Sequence, residues 1–474
     1  MRPEPTPLAL TQHSSFLESD CETPVGMFMR LAGENQGVFF ESAAVDGRWG
    51  RFSIIAYNFL LTLSCREGRL DIRLGDEGLA PLREHADKPF VEGLRGIVRT
   101  LDITPACDPE GNPCPAISRA LYGYLGYGIA GMLEDRLASC LPPEKAEAAL
   151  ALPGTIILFD HVYNRINRLT LRLGFSDLTP LPAECHARPV ATFPEARAHA
   201  LTGREAFIAG VARTREKIRQ GEAIQVVLST PFSAPLAESP FTLYRRLRLI
   251  NPSPYMFYMR FPHGALLGSS PEVMVTCTEN RLRLCPIAGT RPRSRDVAED
   301  ALFSDDLLQD PKEKAEHVML VDLGRNDLGR IARPGTVSVD RYMDVERFSH
   351  VMHLTSRIHA DLQEGLDALD VLRATFPAGT VSGAPKVRAM EMVAEEEQAP
   401  RGPYAGAVGW IGLDRDSVNL DFGIVIRSMW VRDGQVRWQA GAGIVFDSVP
   451  EKEWEECCNK AAVINRVIFG DEAV

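Results

Sequence analysis

Short runs of β-branched, aromatic and other apolar residues recur along this chain, and many follow one another through short turns. In the first part of the chain they lie at residues 38–40, 52–55, 60–63, 155–159 and 168–173, and in the second part at 223–229, 255–260, 282–284, 407–412, 421–431 and 436–440. A doubly wound parallel sheet requires strict alternation of strands and helices, which this order lacks. The sequence therefore predicts an α+β architecture of packed antiparallel β-sheets with helices on the outside.

The length of the chain predicts more than one structural unit. At 474 residues it exceeds the roughly 250–300 residues at which a single core stops growing. Residues 178–203 combine several prolines with alanines and charged residues and lack apolar periodicity, which is typical of a linker. We therefore predict an N-terminal domain over residues 1–177, a linker over 178–203 and a second domain over 204–474.

Charge and composition exclude some functions. The chain has 52 Lys and Arg against 63 Asp and Glu, a net charge of −11, so no basic surface indicates nucleic acid as a partner. No apolar run approaches the ~18–20 residues of a membrane span, and the N-terminus lacks a signal-peptide pattern, which predicts a soluble, cytoplasmic protein that does not bind membranes. The 10 cysteines include no C-x-x-C pair and predict free, buried thiols in a reducing compartment.

Two helix starts are built alike. Asp310-Pro311-Lys312-Glu313 and Ser448-Val449-Pro450-Glu451 both resemble capping boxes with Pro in the first turn. The predicted helices then carry glutamate pairs at i,i+3 on one face, Glu313 with Glu316 and Glu453 with Glu456. If the helices face each other, the four carboxylates would suit Mg²⁺. The alternative is that Glu313 only caps its helix and Glu456 pairs with Lys460 on a solvated surface, and the spacing does not decide between the two.

Three further patterns are also open to two interpretations. His350 and His353 lie in an apolar stretch, where a histidine is either a core residue or a general acid/base. Alternate arginines at 291, 293 and 295 form either a solvated edge or a carboxylate-binding row. Residues 379–386 are glycine-rich but lack Walker spacing, so they are either structural or a backbone anion loop.

Several motifs, in order along the chain, resemble the chorismate-utilising enzymes, and among them the anthranilate synthase component I branch. The motifs lie at residues 286–293 (PIAGTRPR), 316–327 (EHVMLVDLGRND), 379–386 (GTVSGAPK) and 441–450 (GAGIVFDSVP). The resemblance is strong over residues 204–469 and looser before them. It implies the fold of that family.

Two positions distinguish the branches of the family. Isochorismate and salicylate synthases carry a water-activating Lys where this chain has Gln225, and aminodeoxychorismate synthases carry a nucleophilic Lys where it has Ala288. Without either amine, the resemblance favours ammonia as the nucleophile and therefore anthranilate synthase. Aminodeoxychorismate synthase component I is the alternative, and a catalytically silent regulatory subunit is a third hypothesis.

The resemblance also implies a role for individual residues. Glu316 and Glu456 correspond to direct Mg²⁺ ligands, and Glu313 and Glu453 to partners that hold its waters. Glu272 corresponds to the general acid for the departing ring hydroxyl, His353 to the acid/base for pyruvate elimination, and Thr380 to a lining residue of the same pocket. The positions that correspond to chorismate contacts are Gly289, Thr290, Tyr404, Arg427, Gly441, Ala442 and Gly443.

The implied activity is that of a carbon–oxygen lyase in tryptophan biosynthesis. It would convert chorismate and ammonia to anthranilate and pyruvate with Mg²⁺, the ammonia coming from a separate glutamine amidotransferase subunit in a heterotetramer of two large and two small subunits. The resemblance further implies feedback inhibition by L-tryptophan at Ser42, Pro254, Tyr255 and Met256. Phe39-Phe40 stand where the family usually has two leucines, which leaves the strength of inhibition open.

Overall fold

The computed structural model describes residues 7–17, 21–41, 50–108, 111–172, 199–347 and 351–470. Strands before the predicted linker and at its end are β1 Leu8–Leu17, β2 Gly37–Glu41, β3 Phe52–Arg66, β4 Arg69–Leu74, β5 Leu101–Thr104, β6 Ala120–Leu125, β7 Ala148–Asp160, β8 Arg165–Arg172 and β9 His199–Ala200. Later strands are β10 Gln225–Pro235, β11 Tyr255–Phe261, β12 Gly264–Ser270, β13 Val273–Thr278, β14 Arg281–Leu284, β15 Ile287–Pro292, β16 Ser338–Arg347, β17 Val351–Asp361, β18 Gly383–Ala384, β19 Ala407–Gly412, β20 Leu420–Ile424, β21 Ser428–Arg432 and β22 Gln435–Ile444. The α-helices are α1 Pro24–Leu31, α2 Phe90–Thr100, α3 Ala130–Leu133, α4 Arg204–Arg219, α5 Pro240–Ile250, α6 Val297–Gln309, α7 Pro311–Gly329, α8 Ala368–Thr375, α9 Lys386–Glu396 and α10 Pro450–Phe469.

Two antiparallel ladders share β7. One runs β8–β7–β3–β2–β11–β12–β21–β22–β10. The other runs β7–β6–β19–β20–β13–β14–β17. β1 pairs with β5 in parallel and with β8 in antiparallel orientation. The prediction of an α+β fold with packed antiparallel sheets is confirmed.

The side chains of β11 show how strand alternation builds two cores. Met256 and Tyr258 belong to one buried cluster, with α1 and α5, while Phe257 and Met259 belong to another, which includes Tyr122 of β6. Since successive side chains of a strand point to opposite faces, one strand contributes to both cores.

Both ladders cross the predicted domain boundary. β2 pairs with β11, and β6 pairs with β19, so each ladder joins a block of strands from residues 7–172 to a block of strands from residues 199–470. Residues 178–203, the predicted linker, lie largely outside the described residues. The segments on either side of it share both ladders and their cores.

Three local expectations are wrong. Residues 421–431 do not form one strand, because the chain breaks between β20 and β21, where Arg427 has a φ of +50°. Ser448 does not cap α10, whose N-cap is Val449 without a side-chain bond. Asp310 does cap α7, accepting from the backbone N–H groups of Lys312 and Glu313, but its own N–H donates to the carbonyl of Asp306, so the reciprocal capping-box bond is missing.

The cysteines and the hydropathy of the helices bear on two further expectations. The nine described cysteines are all free, but Cys21 and Cys107 are exposed, so the prediction of buried thiols is wrong for these two. No helix in the described ranges combines the length and the apolar character that a membrane span requires.

Phe257 tests the core between the ladders. It is 1% exposed, and truncating a buried aromatic residue leaves a cavity. We expect Phe257→Ala to lower the free energy of unfolding by about 3–5 kcal/mol in urea denaturation. Phe16→Ala on β1, where the side chain is 45% exposed, is the control and should change it by less than about 0.5 kcal/mol. Equal effects would contradict this packing.

Candidate active site

A β-bulge positions the first candidate group. The register of β15 on β17 shifts between Ala288 and Arg291, and Gly289 within this bulge has a φ of +63°. His353 on β17 lies opposite, with Nδ1 2.8 Å from the carbonyl oxygen of Gly289 and 3.1 Å from the hydroxyl of Thr290. Burial lowers the pKa of His353, so the ring is neutral near pH 7. If Nδ1–H donates to the carbonyl, the lone pair of the ring lies on Nε2. His350 lies outside the described residues.

Glu272 lies in the connection between β12 and β13. Its backbone N–H faces the hydroxyl of Ser270, and its carbonyl accepts from the N–H of Ile424, which fixes the connection against β20. Burial raises the pKa of Glu272 to about 7, against the lowering effects of Thr380, Lys460 and Arg427. Thr380, in the turn before β18, is adjacent to Glu272, but its buried Oγ1 makes no hydrogen bond of regular geometry. Glu272 can therefore donate a proton near neutral pH.

Arg427 is the group around which the other candidates gather. Burial lowers the pKa of its half-buried guanidinium, and the charges of Tyr404, Glu272 and Glu456 raise it. The positive charge of Arg427 also lowers the pKa of His353. One guanidinium thus lies within electrostatic reach of candidate residues from four parts of the chain.

The glycine pair on β22 allows side chains from other elements to approach this strand closely. A Cβ on Gly441 would lie 2.9 Å from the Tyr404 hydroxyl, and a Cβ on Gly443 would lie 2.6 Å from Nε2 of Gln225. Ala442 lies between the two glycines, and its methyl group is fully buried in the core on the opposite face of β22. On the face of the two glycines, Ala442 therefore presents only its backbone. Backbone N–H groups and an arginine together suit a carboxylate ligand.

The four glutamates lie at the starts of α7 and α10. Burial and the charge of Glu316 raise the pKa of Glu313, and burial and the charge of Glu456 raise that of Glu453. The charge of Lys312 on α7 lowers the pKa of Glu453 on α10, which shows that the two helix starts are close. The proximity of the two helix starts, which the spacing of the glutamates left open, is therefore present.

The same residues test whether Mg²⁺ fits. The donors are carboxylate oxygens, the ligands that Mg²⁺ prefers. The two carboxylates of each glutamate pair repel each other, and a divalent cation relieves that repulsion. Among the described residues, however, no three His, Cys, Asp or Glu side chains converge as a ready metal site. Lys460 Nζ lies 2.6 Å from Glu456 Oε1, as the alternative interpretation predicts. The donor chemistry fits Mg²⁺, while the ligand geometry is not assembled.

Lys460 and Gln225 each make a contact in the site that the sequence does not predict. Lys460 Nζ also donates to the carbonyl oxygen of Gly441 at 2.9 Å, and its charge lowers the pKa of Glu272. Gln225 Nε2 donates to Glu316 Oε1 at 3.2 Å. The i,i+4 spacing of Lys460 from Glu456 indicated their pairing, but only the fold brings Lys460 to Gly441.

The arginine row has a structural role. Arg291 donates to Asp306 and Asp310, and Arg293 donates to Asp300. These ion pairs fix α6 and the start of α7 against β15. Arg291 and Arg293 therefore bind aspartates of the chain itself and not the carboxylate of a ligand.

The residues expected to bind tryptophan lie at the β2–β11 pair. Met256 is directly opposite Glu41 and is 1% exposed, while the hydroxyl of the neighbouring Tyr255 donates to Asp421 at 2.6 Å. Glu41 accepts from Tyr244 and from Arg248, each at 2.6 Å. The two strands that carry the predicted parts of this site, β2 and β11, are thus paired as far as Glu41. Ser42 lies outside the described residues.

Comparisons with known proteins identify the family of this chain. The sequence model of the chorismate binding enzymes matches residues 73–466. The chain is 41% identical to the anthranilate synthase component 1 of Streptomyces coelicolor, over 97% of this chain and 89% of that protein, and 38% identical to that of Aquifex aeolicus, over 95% and 92%.

Solved structures show the same fold. Anthranilate synthase component I from Streptococcus pneumoniae superposes with a TM-score of 0.72 at 30% identity, covering 95% of this chain and 99% of that one. A menaquinone-specific isochorismate synthase from Escherichia coli superposes with a TM-score of 0.71 over 98% and 95% of the chains, at 20% identity. The latter shares the fold alone.

The ionisation of Glu272 can be tested directly. Its pKa of about 7 lies above the value of about 4.5 for an exposed glutamate. The protonated group therefore contributes its full stabilisation of the fold below about pH 4.5, and this contribution is lost as the pH rises through about 7. We expect a carboxyl group with an infrared-detected pKa near 7 that disappears in Glu272→Gln. The free energy of unfolding of the variant, relative to wild type, should rise over the same pH interval. A carboxyl pKa near 4.5 would contradict the burial of this group.

Proposed function

This chain belongs to the chorismate-binding enzymes, and from that membership we propose that it is the large subunit of an anthranilate synthase, converting chorismate and ammonia to anthranilate and pyruvate. The observation that carries the proposal is the arrangement around Arg427, which brings a protonatable carboxyl group, a neutral histidine and Tyr404, which lies against Gly441, to one place. The similarity to anthranilate synthase component 1 of Streptomyces coelicolor supports the choice of branch.

Two side chains favour ammonia as the nucleophile. Gln225 is neutral and donates to Glu316, so no amine is present there to activate water. Ala288 is 8% exposed on β15 and offers only a methyl group. Aminodeoxychorismate synthase component I, whose family usually has a lysine at the position of Ala288, is the second candidate function.

Different side chains carry out the successive steps of the proposed reaction. The guanidinium of Arg427 and the N–H groups near Gly441 and Gly443 hold a carboxylate of chorismate. Protonated Glu272 donates its proton to the departing ring hydroxyl, which leaves as water while ammonia adds to the ring. His353 accepts a ring proton at Nε2 as the bond from the ring to the enolpyruvyl oxygen breaks, and the same proton is then given to the departing enolpyruvate, which becomes pyruvate. The Nδ1 atom of His353, bonded to Gly289, fixes the tautomer for this step.

We propose Mg²⁺ as the cofactor, held by Glu316 and Glu456 directly and by Glu313 and Glu453 through water. When bound, the cation supplies Lewis-acid stabilisation of negative charge on the substrate carboxylate. Glu456 would then exchange its contact with Lys460 for the cation.

The ammonia comes, in this proposal, from a glutamine amidotransferase subunit. The relatives are named component 1, which implies a second component. A heterotetramer of two large and two small subunits is the assembly we propose. L-Tryptophan is proposed as the inhibitor, bound by Ser42, Pro254, Tyr255 and Met256 at the end of the β2–β11 pair.

An assay of anthranilate fluorescence with chorismate, Mg²⁺ and ammonium tests the activity. We expect turnover by the wild type and a loss of about 100-fold or more in Glu456→Ala, because one proposed metal ligand is removed. Glu455→Ala, an exposed neighbour on another helix face, is the control and should retain activity. Normal activity of Glu456→Ala would refute the metal assignment, and an aminodeoxychorismate product would select the second candidate function.

Tryptophan inhibition can be tested on one strand. Met256→Ala should raise the tryptophan concentration for half-inhibition by about tenfold, because it alters the proposed inhibitor site. Met259→Ala removes the same side chain from the opposite face of β11 and controls for lost packing. Ser42→Ala should also relieve inhibition. Equal inhibition of wild type and Met256→Ala would refute the proposed site.

A further inference from the structure

A small cavity of about 50 Å³ adjoins the proposed general acid. Its lining includes Glu272 and Thr380, the apolar side chains of Leu320 and Leu323, and the polar residues Asp327 and Thr375. A water molecule occupies about 30 Å³ in the liquid, so the cavity has room for one or two. The reaction steps derived above make no use of this space.

The polar groups of the wall suit water. The Oγ1 atom of Thr380 is buried without a regular hydrogen bond, which is costly unless a small polar molecule satisfies it. Asp327 forms a buried ion pair with Lys386 Nζ at 2.5 Å, and Lys386 also donates to the carbonyl oxygen of Thr375 at 3.2 Å. The cavity therefore offers the two or more polar partners that a buried water requires.

We propose that this cavity holds one or two ordered water molecules, bonded to Thr380, through which Glu272 regains its proton after each turnover. The inference rests on the proposed function. In the reaction, the O–H bond of the Glu272 carboxyl breaks and its proton leaves with the ring hydroxyl as water. A cavity water then donates a proton to the Glu272 carboxylate and takes one from solvent at the Asp327 end, where the side chain of Lys386 is 12% exposed. The proton that Glu272 regains from solvent is balanced by the proton that the added ammonia releases to solvent as it becomes the amine, so the overall reaction takes up no proton.

The charges around Glu272 agree with this role. Burial raises its pKa to about 7, while Thr380, Lys460 and Arg427 lower it, so both protonation states are accessible at neutral pH. The nearby Cys285 thiol is neutral, since burial raises its pKa to about 11. Asp327 faces Lys386 and Arg330, whose charges oppose the effect of burial on its pKa. Thr380 is therefore a positioning residue for the water, while Glu272 is the group that touches substrate.

Stopped-flow anthranilate fluorescence at about pH 6, where Glu272 starts protonated, separates proton return from chemistry. In Thr380→Val, which keeps the shape but lacks the hydroxyl, we expect a first turnover within about twofold of wild type and a steady-state rate about tenfold lower, giving a burst. Thr375→Val is the matched control, because its hydroxyl already donates to the carbonyl of Val371, and it should give no burst. Equal slowing of both phases in Thr380→Val, or a burst in Thr375→Val, would overturn the relay.

A crystal structure at a resolution that shows ordered water tests the occupancy independently. We expect density for water within hydrogen-bond distance of Thr380 Oγ1 in the wild type and its loss in Thr380→Val. An empty cavity in the wild type would overturn the proposal while leaving the proposed function intact. A wild-type enzyme that forms no anthranilate would instead refute the proposed function, and the relay with it.

Discussion

The partly desolvated guanidinium of Arg427 is the charge on which the site depends. Removing a cation from water is costly unless negative groups compensate for it, and burial does lower the pKa of Arg427. The compensation comes from Glu272 and Glu456, which lie on different elements. Burial lowers the pKa of His353, and the charge of Arg427 adds to that effect. The position of Arg427 therefore influences the protonation of both proposed proton-transfer groups.

Arg427 also shows where local sequence patterns lose their predictive value. Residues 421–431 form an apolar run that predicts one strand, yet the backbone turns at Arg427 with a φ of +50°, a conformation unusual for a non-glycine residue. Its carbonyl accepts from the N–H of Ser269 on β12, so a neighbouring strand stabilises the turn. Nothing within the run itself indicates that partner. The break was unpredictable because its cause is non-local.

Patterns with local causes were more predictive. The antiparallel architecture follows from strands that succeed one another through short turns, and Asp310 and Pro311 indicate the start of α7 because cap and proline act within one turn. Ser448 shows the limit of the same reasoning. Its hydroxyl accepts from the N–H of Val445 and interacts with Glu453, so a competing local contact removes it from the capping position. The residue pattern of the glutamates predicted that the two helix starts could meet, while the contact of Lys460 with Gly441 arises from tertiary packing alone.

The continuity of the sheets connects the N-terminal segment to the site. Glu41 on β2 lies opposite Met256 on β11, and Asn251, just before β11, donates its side-chain N–H to the hydroxyl of Ser269 on β12 at 3.3 Å. The backbone N–H of Ser269 donates to the carbonyl of Arg427 at 3.1 Å. Two successive hydrogen bonds thus connect Asn251, four residues before β11, through Ser269 to Arg427. In the proposed inhibition, these packed contacts are the route by which a displacement of β2 against β11 would reach Arg427.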